Sequence, residues 1–196
     1  MLGVCACIGT VASQYGVIPM GGEDITWEVA RAFDTSFEEA KRLKEDYGYA
    51  KPSVIKNEEF VEFVQATNKD SHYLSSLQLS EVIEEAYVDI LSTLKNELRH
   101  HNLDASIKSG FVLCGGGAQA LGCEELVREF FTRRVKIGIV QRDRVSGLET
   151  ILMDYRYASS IGLLLHQEDL PQVDSIMSKG RNGVMGKIKK VLVGNF

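Results

Sequence analysis

The sequence predicts a mixed fold of the α/β or α+β class. Two patterns indicate this class: short strand-like segments rich in Val and Ile alternate with segments whose apolar residues recur at helical spacing. The composition agrees, because 44% hydrophobic and 25% charged residues among 196 is typical of an ordinary globular chain. This length gives room for one domain, or for one domain with a smaller one inserted in it.

The N-terminal half predicts strands followed by two helices. Residues 1–20 are strand-like and lead, through a glycine turn, to a helix over about 27–33. A second helix is expected over about 36–46, ended by Gly48, because glycine commonly terminates helices. Alternation of apolar and polar residues within 51–66 then predicts further strand structure.

The C-terminal half continues the alternation of elements. The strongest helical periodicity runs over about 80–101, and a buried strand is expected at 110–114. A helix at 123–131 and a strand at 135–139 follow, and the last helix of the body is predicted at 157–165. Each apolar stripe marks a face that must be covered by another element, so the elements are expected to form a packed body.

A strand–glycine–helix unit at 111–122 is the clearest functional pattern. An apolar strand leads to Gly115, Gly116 and Gly117, where the lack of side chains lets a flat or anionic ligand approach the backbone. The free N–H groups at the start of a following helix favour phosphate. A tight turn that needs positive φ is the structural alternative.

This unit resembles the adenosine loop of the actin/Hsp70 ATPase superfamily. Residues 17–26 (VIPMGGEDIT) and 37–48 (FEEAKRLKEDYG) resemble two further superfamily segments, and all three stand in the expected order. Within the superfamily, the chain resembles the FtsA family of bacterial cell-division proteins through three more motifs: LSEVIE at 79–84, VKIG at 135–138 and YASSIGLL at 157–164.

The resemblance implies an actin-like (ribonuclease-H-like) α/β half with a small inserted α+β subdomain and a C-terminal amphipathic helix. It covers about residues 17–196 and corresponds only to the C-terminal half of the family, so a truncated copy or a fragment is expected. The implied parts are an actin-like subdomain at 1–48 and 106–166, an inserted subdomain at 49–105, a polar linker at 167–183 and the amphipathic helix at 184–196.

The resemblance also implies a nucleotide site for ATP with Mg²⁺. By position in the motifs, the implied contacts are Gly115, Gly116 and Gly117 at the adenosine, with Gly22, Lys41 and Lys44 nearby. Residues 7–10 read C-I-G-T where the family pattern reads D-I-G-G-G-T. We therefore expect an impaired phosphate loop, weakened nucleotide binding and no hydrolytic activity.

The implied role is that of an adaptor in cell division. It would tether FtsZ filaments to the cytoplasmic face of the bacterial inner membrane at the septum, self-associate into actin-like polymers and recruit later division proteins. The FtsZ C-terminal tail is expected on the inserted subdomain near Ser76, Glu81 and Glu85. Two alternatives remain open: a fragment of an Hsp70-type chaperone ATPase, and a pilus-assembly actin homologue.

The last residues differ in charge from the rest of the chain. The net charge is −5, and residues 175–196 carry five basic residues and no acid, so the first 174 residues carry −10. An acidic body argues against nucleic acid as a partner. Residues 184–196 predict a basic amphipathic helix for an anionic membrane surface, and a terminal helix packed on the body is the alternative. Its members are Val184, Met185, Lys187, Ile188, Lys189, Lys190, Val191, Leu192 and Phe196.

Four cysteines are expected to be reduced thiols in or near the core. Cys5, Cys7, Cys114 and Cys123 form no C-x-x-C pair, and no histidine stands at a spacing typical of zinc sites. The sequence therefore predicts neither a metal site nor a disulfide framework.

Overall fold

The computed structural model describes residues 1–8, 11–103, 107, 109–138 and 154–169. The chain divides into two compact units, residues 1–139 and 140–196, which are described separately. The helices and strands described in the first unit are β1 (Leu2–Ile8), β2 (Val11–Ile18), α1 (Gly22–Ala32), α2 (Phe37–Tyr47), β3 (Phe60–Val64), β4 (Ser71–Ser75), α3 (Ser76–His100), β5 (Phe111–Leu113), α4 (Cys123–Phe131) and β6 (Val135–Ile137).

The described strands pair into three two-stranded sheets. β1 and β2 form an antiparallel hairpin whose register shifts between Ala6 and Cys7, and β3 pairs with β4 in antiparallel register. β5 and β6 are parallel and are connected through α4, as parallel strands require a crossover. The alternation of strands and helices predicted from the sequence is thus present, although β4 was not foreseen as a separate strand.

The first hydrophobic core joins both early helices to the β3–β4 sheet and to the N-terminal half of α3. Along β3, Val61 and Phe63 are buried while their neighbours are exposed, the period of two that a half-buried strand predicts. Their buried partners from the surrounding elements are Ile25, Val29, Ala30, Ala40, Leu43, Leu74, Leu79, Ile83, Ala86 and Ile90.

The second core collects the C-terminal half of α3, the hairpin and the α4 region. Ile18 of β2 and Val135 of β6 are buried in it together with residues from both helices. The helical members are Leu91, Leu94 and Leu98 of α3 and Cys123, Leu126, Val127 and Phe131 of α4. α3 therefore contributes one continuous apolar stripe to both cores, as its periodicity predicts. The division of the chain at residues 48 and 106 remains a prediction.

The helix ends show which local signals were informative. Ser36 caps α2 by accepting a hydrogen bond from the Glu39 N–H at 3.2 Å, so the prediction for this helix is confirmed. α1 begins five residues earlier than predicted, because the Asp24 carboxylate accepts a 2.7 Å hydrogen bond from the Gly21 N–H. α3 also begins earlier than predicted, where Ser75 and Gln78 form a reciprocal capping box.

The strand expected at 110–114 is present, but the expectation that it is buried is wrong. β5 spans only three residues, and its central residue Val112 is 68% exposed, while Phe111 and Leu113 are half-buried. Successive side chains of a strand point to opposite faces, so one face of β5 packs on the second core while Val112 stays exposed on the other.

The cysteines also depart from their expected positions. Cys123 is buried at the start of α4, and burial raises its pKa to about 11. Cys5, Cys7 and Cys114 are exposed, so their expected place in or near the core is wrong. Cys5 and Cys7 are alternate residues of β1, and the hairpin turns its other face, with Leu2 and Val4, toward the second core.

The second unit is described at residues 154–169. A short 3-10 turn at Tyr155–Tyr157 leads into helix α5 (Ala158–Asp169), which extends four residues beyond the predicted end at 165. The Asp154 carboxylate accepts hydrogen bonds from the Arg156 guanidinium at 2.6–3.0 Å just before the helix. The predicted amphipathic helix at 184–196 and the linker residues 170–183 lie outside the described residues. Among the helices that are described, none is both long and apolar enough to cross a membrane.

We expect Leu79→Ala to destabilise the first unit strongly. Leu79 is 1% exposed, so truncation leaves a cavity and should lower the free energy of unfolding by about 2–5 kcal/mol. Leu77→Ala is the matched control, because Leu77 lies on the same helix but is partly exposed, and should cost less than about 1 kcal/mol. Urea unfolding followed by circular dichroism measures both, and equal losses would contradict the placement of the core.

Candidate functional site

The glycine loop after β5 is open on the side of Gly115. Gly115 has φ +91° and ψ 175°, a backbone region that essentially only glycine adopts. A Cβ built on Gly115 would meet no atom within 4 Å. Gly116 and Gly117 begin the 3-10 turn Gly116–Gln119 that follows. The three predicted glycines therefore form one loop, half-buried at Gly115 and exposed at Gly116 and Gly117, whose backbone a flat ring could approach closely.

Tyr87 of α3 contacts this loop through a side-chain hydrogen bond. Its hydroxyl donates a 2.9 Å hydrogen bond to the Gly117 carbonyl, and its ring packs against both hydrophobic cores. Burial raises the pKa of Tyr87 well above its usual range, so the hydroxyl stays a proton donor. Tyr87 lies within the helical periodicity predicted over about 80–101, but no local signal in the sequence connects it to a loop 30 residues away.

Gly22 and Lys44 come together at the start of α1. The Lys44 Nζ donates hydrogen bonds to the Gly22 carbonyl at 2.8 Å and to the Thr26 Oγ1 at 2.6 Å. Thr26 in turn donates to the same carbonyl at 3.0 Å. Burial lowers the pKa of Lys44, since the charged ammonium loses hydration there. Lys41, one turn earlier on α2, is exposed.

The start of α4 is less suited to phosphate than its sequence suggests. The helix does not follow the glycines directly, because the 3-10 turn, Ala120 and Leu121 intervene before Gly122 caps it with φ +85°. Glu124 and Glu125 occupy the first helical turn, and their negative charges already complement the helix dipole. The loop is thus better matched to a neutral ring than to an anion. The nucleotide contacts of these residues remain predictions.

The three predicted partner residues are placed differently from one another. Ser76 is only 3% exposed, and its hydroxyl accepts a 3.1 Å hydrogen bond from the Glu59 N–H. A partner cannot reach it without opening this contact between α3 and the segment before β3. Glu81 and Glu85 are exposed and lie four residues apart, on one face of α3. These two carboxylates are therefore the members of the predicted set that a partner could contact.

Comparison with solved structures defines the class of the fold. MreB5 of Spiroplasma citri bound to ADP aligns with a TM-score of 0.63 at 15% identity, over 88% of this chain and 50% of that one. A PilM–PilN type IV pilus biogenesis complex aligns with a TM-score of 0.59 at 17% identity, over 86% of this chain and 43% of the matched chain. These likenesses show the fold alone, and that fold is the actin-like one predicted from the sequence.

Comparison with protein families narrows this class. The family model described as "Cell division protein FtsA" matches residues 4–162, so the chain belongs to the FtsA family. FtsA of Pseudomonas aeruginosa is 27% identical over 191 residues, which cover 92% of this chain and 45% of that protein. FtsA of Escherichia coli K12 is 30% identical over 155 residues, which cover 76% of this chain and 36% of that protein. The chain thus spans less than half the length of these curated relatives.

We expect Gly115→Ala to be costly although space is available for the new methyl group. The positive φ and extended ψ of Gly115 strain any L side chain, which should lower the free energy of unfolding by about 1–3 kcal/mol. Gly117→Ala is the control, since its Cβ would meet the Tyr87 hydroxyl at an ordinary 3.8 Å. Its effect should stay within about 1 kcal/mol. Chemical denaturation of both variants measures this, and an equal or larger loss in Gly117→Ala would contradict the loop geometry.

Proposed function

We propose that this chain acts as a cell-division adaptor of the FtsA type. In this role it links FtsZ filaments to the cytoplasmic face of the inner membrane at the septum, and it helps later division proteins to assemble there. The observation that carries the proposal is the family match over residues 4–162. Because the chain spans less than half the length of these relatives, the roles of the whole protein are proposals for this chain.

We further propose that ATP with Mg²⁺ is the nucleotide for which the glycine loop is built. The open backbone at Gly115 supports contact with the flat adenine ring, and Tyr87 holds the loop in place for it. Lys44 orders the start of α1 through Gly22, and Lys41 lies exposed one turn away on α2. The role assigned to these residues is to bind and orient nucleotide for self-association into polymers, without hydrolysis.

Membership of the FtsA family favours the adaptor over the two alternatives that the sequence left open. The pilus biogenesis complex is only 17% identical to this chain, so the likeness supports a shared fold and not a shared function. The Hsp70-type chaperone fragment gains no support from the family match, which is to a cell division protein. The adaptor is therefore the function to test first.

Charge reversal on α3 tests the FtsZ contact. We expect Glu81→Lys with Glu85→Lys to weaken binding of an FtsZ C-terminal tail peptide at least about tenfold, or about 1.4 kcal/mol. The physical reason is that groups of the peptide complementary to the two exposed carboxylates would then face like charges. Fluorescence anisotropy of the labelled peptide with the full chain measures the affinity.

Glu97→Lys, a single charge reversal elsewhere on α3, is the control for this experiment. Glu97 is also exposed and lies on the same helix, but near its C-terminal end. It should leave the affinity within about twofold, a difference of about 0.4 kcal/mol. Equal weakening by both charge reversals would indicate a general charge effect, and no weakening by the double variant would exclude this face of α3.

Membrane binding is tested on the last thirteen residues of the chain. We expect the full chain to sediment with anionic vesicles, less so at high salt, and Ile188→Glu with Leu192→Glu to abolish sedimentation. Each aliphatic side chain contributes at most about 1.5–3 kcal/mol when buried in the bilayer interface, and each basic residue about 1 kcal/mol near it. Two glutamates remove the apolar face and oppose the charge of the segment.

Ser178→Glu with Asn182→Glu is the control for the membrane experiment. It adds the same two charges in the predicted linker and leaves the apolar positions of 184–196 intact. This variant should sediment nearly as well as the unmodified chain. If both double variants sediment equally, residues 184–196 do not form the membrane anchor. The proposed tethering to the membrane would then be contradicted.

A further inference from the structure

Strand β1 presents two thiols side by side on the outward face of the hairpin. Cys5 and Cys7 are both exposed, and their Sγ atoms lie 3.8 Å apart. The residue between them, Ala6, points to the opposite face, where it lines a cavity with Val4 and Leu94. The hydrogen bond between the two thiols raises the pKa of Cys5.

The separation of the two sulfur atoms fits a thiophilic metal ion. Zinc–thiolate bonds are about 2.3 Å long, and in a tetrahedral site two such bonds place the sulfurs about 3.8 Å apart. The observed Sγ–Sγ distance is 3.8 Å, and a disulfide would require about 2.05 Å. Soft thiolate ligands select ions of the zinc class over Mg²⁺ or Ca²⁺. Both side chains are exposed, which gives an ion direct access.

The described residues of one chain supply only half of such a site. Within the described residues, no three His, Cys, Asp or Glu side chains are grouped to hold a metal ion. Structural zinc sites are almost always closed by four protein ligands, so two more thiolates are needed. A symmetric dimer provides them, since a two-fold axis places the same surface of a second copy opposite the first.

The surface around the two thiols suits a second copy of the chain. Tyr15, opposite Cys5 on β2, is 91% exposed, and Val17, opposite Gly3, is 62% exposed. A Cβ added at Gly3 would meet nothing within 4 Å, so the space in front of this strand is open. Tyr15 and Val17 adjoin Cys5 and Gly3 in the strand register and form one exposed apolar strip with them, and contiguous apolar surface of this kind is what a protein interface buries. Two copies meeting here would bring four thiols together.

We propose that Cys5 and Cys7 form half of a four-thiolate site for a zinc-class divalent metal ion, completed by Cys5 and Cys7 of a second copy of this chain. Binding releases four thiol protons to the solvent and leaves four metal–sulfur bonds, with no change in oxidation state. The site links two chains through the outward face of β1. It shares no residue with the predicted FtsZ contact on α3 or with the predicted membrane segment.

Cadmium titration of the reduced, metal-free full chain tests this proposal. Cd²⁺ is the probe because its thiolate bonds give ultraviolet charge-transfer absorption. We expect saturation at one Cd²⁺ per two chains, dimers in sedimentation velocity, displacement of the cadmium by Zn²⁺, and return to monomer on adding a chelator. Cys5→Ser and Cys7→Ser should each lower the cadmium affinity at least tenfold, while Cys114→Ser, which changes the third exposed thiol, should leave it unchanged.

The serine variants keep the size of the side chains at exposed positions, and circular dichroism checks that they fold. Several results would overturn the proposal. Saturation at one ion per chain in a monomer would exclude the shared site. Unchanged charge-transfer absorption in Cys5→Ser and Cys7→Ser would exclude the thiol pair, and loss of the absorption in Cys114→Ser would place the metal elsewhere.

Discussion

The apolar stripe of α3 is the constraint on which the rest of the first unit depends. This helix has 25 residues and is about 37 Å long, enough to pass through both hydrophobic cores. Its N-terminal half is covered by α1, α2 and the β3–β4 sheet, and its C-terminal half by the hairpin and α4. Because both groups of elements pack on this one helix, the position of α3 constrains where each of them lies.

The candidate site takes its geometry from the same helix. Tyr87 lies near the middle of α3, packs against both cores and bonds to the Gly117 carbonyl. The glycine loop is thereby tied to the helix that packs in both hydrophobic cores, which is the kind of support that keeps a binding loop in one conformation. The start of α1 is ordered separately, by the Lys44 ammonium at Gly22 and Thr26. The chemistry proposed for the site thus rests on packing that the family relationship alone would not reveal.

Two separate exposed surfaces of the first unit are candidates for binding a partner. Glu81 and Glu85 give α3 an acidic face, whereas the hairpin presents the two thiols of β1 beside Tyr15. The first belongs to the adaptor role proposed from the family, and the second has no counterpart in it. Because the two surfaces differ in chemistry, charge reversal and metal titration probe them separately.

The sequence by itself determined the helices that carry local signals and the glycine loop. The stripe of α3, the Ser36 cap of α2 and the limits of α4 follow from residues three or four apart, so they could be predicted. Only the tertiary structure decided that Ser76 is buried, that Val112, Cys5 and Cys7 are exposed, and that Lys44 meets Gly22. These features depend on which distant elements cover a face, and contacts between residues 17 to 30 positions apart leave no periodic pattern in the sequence.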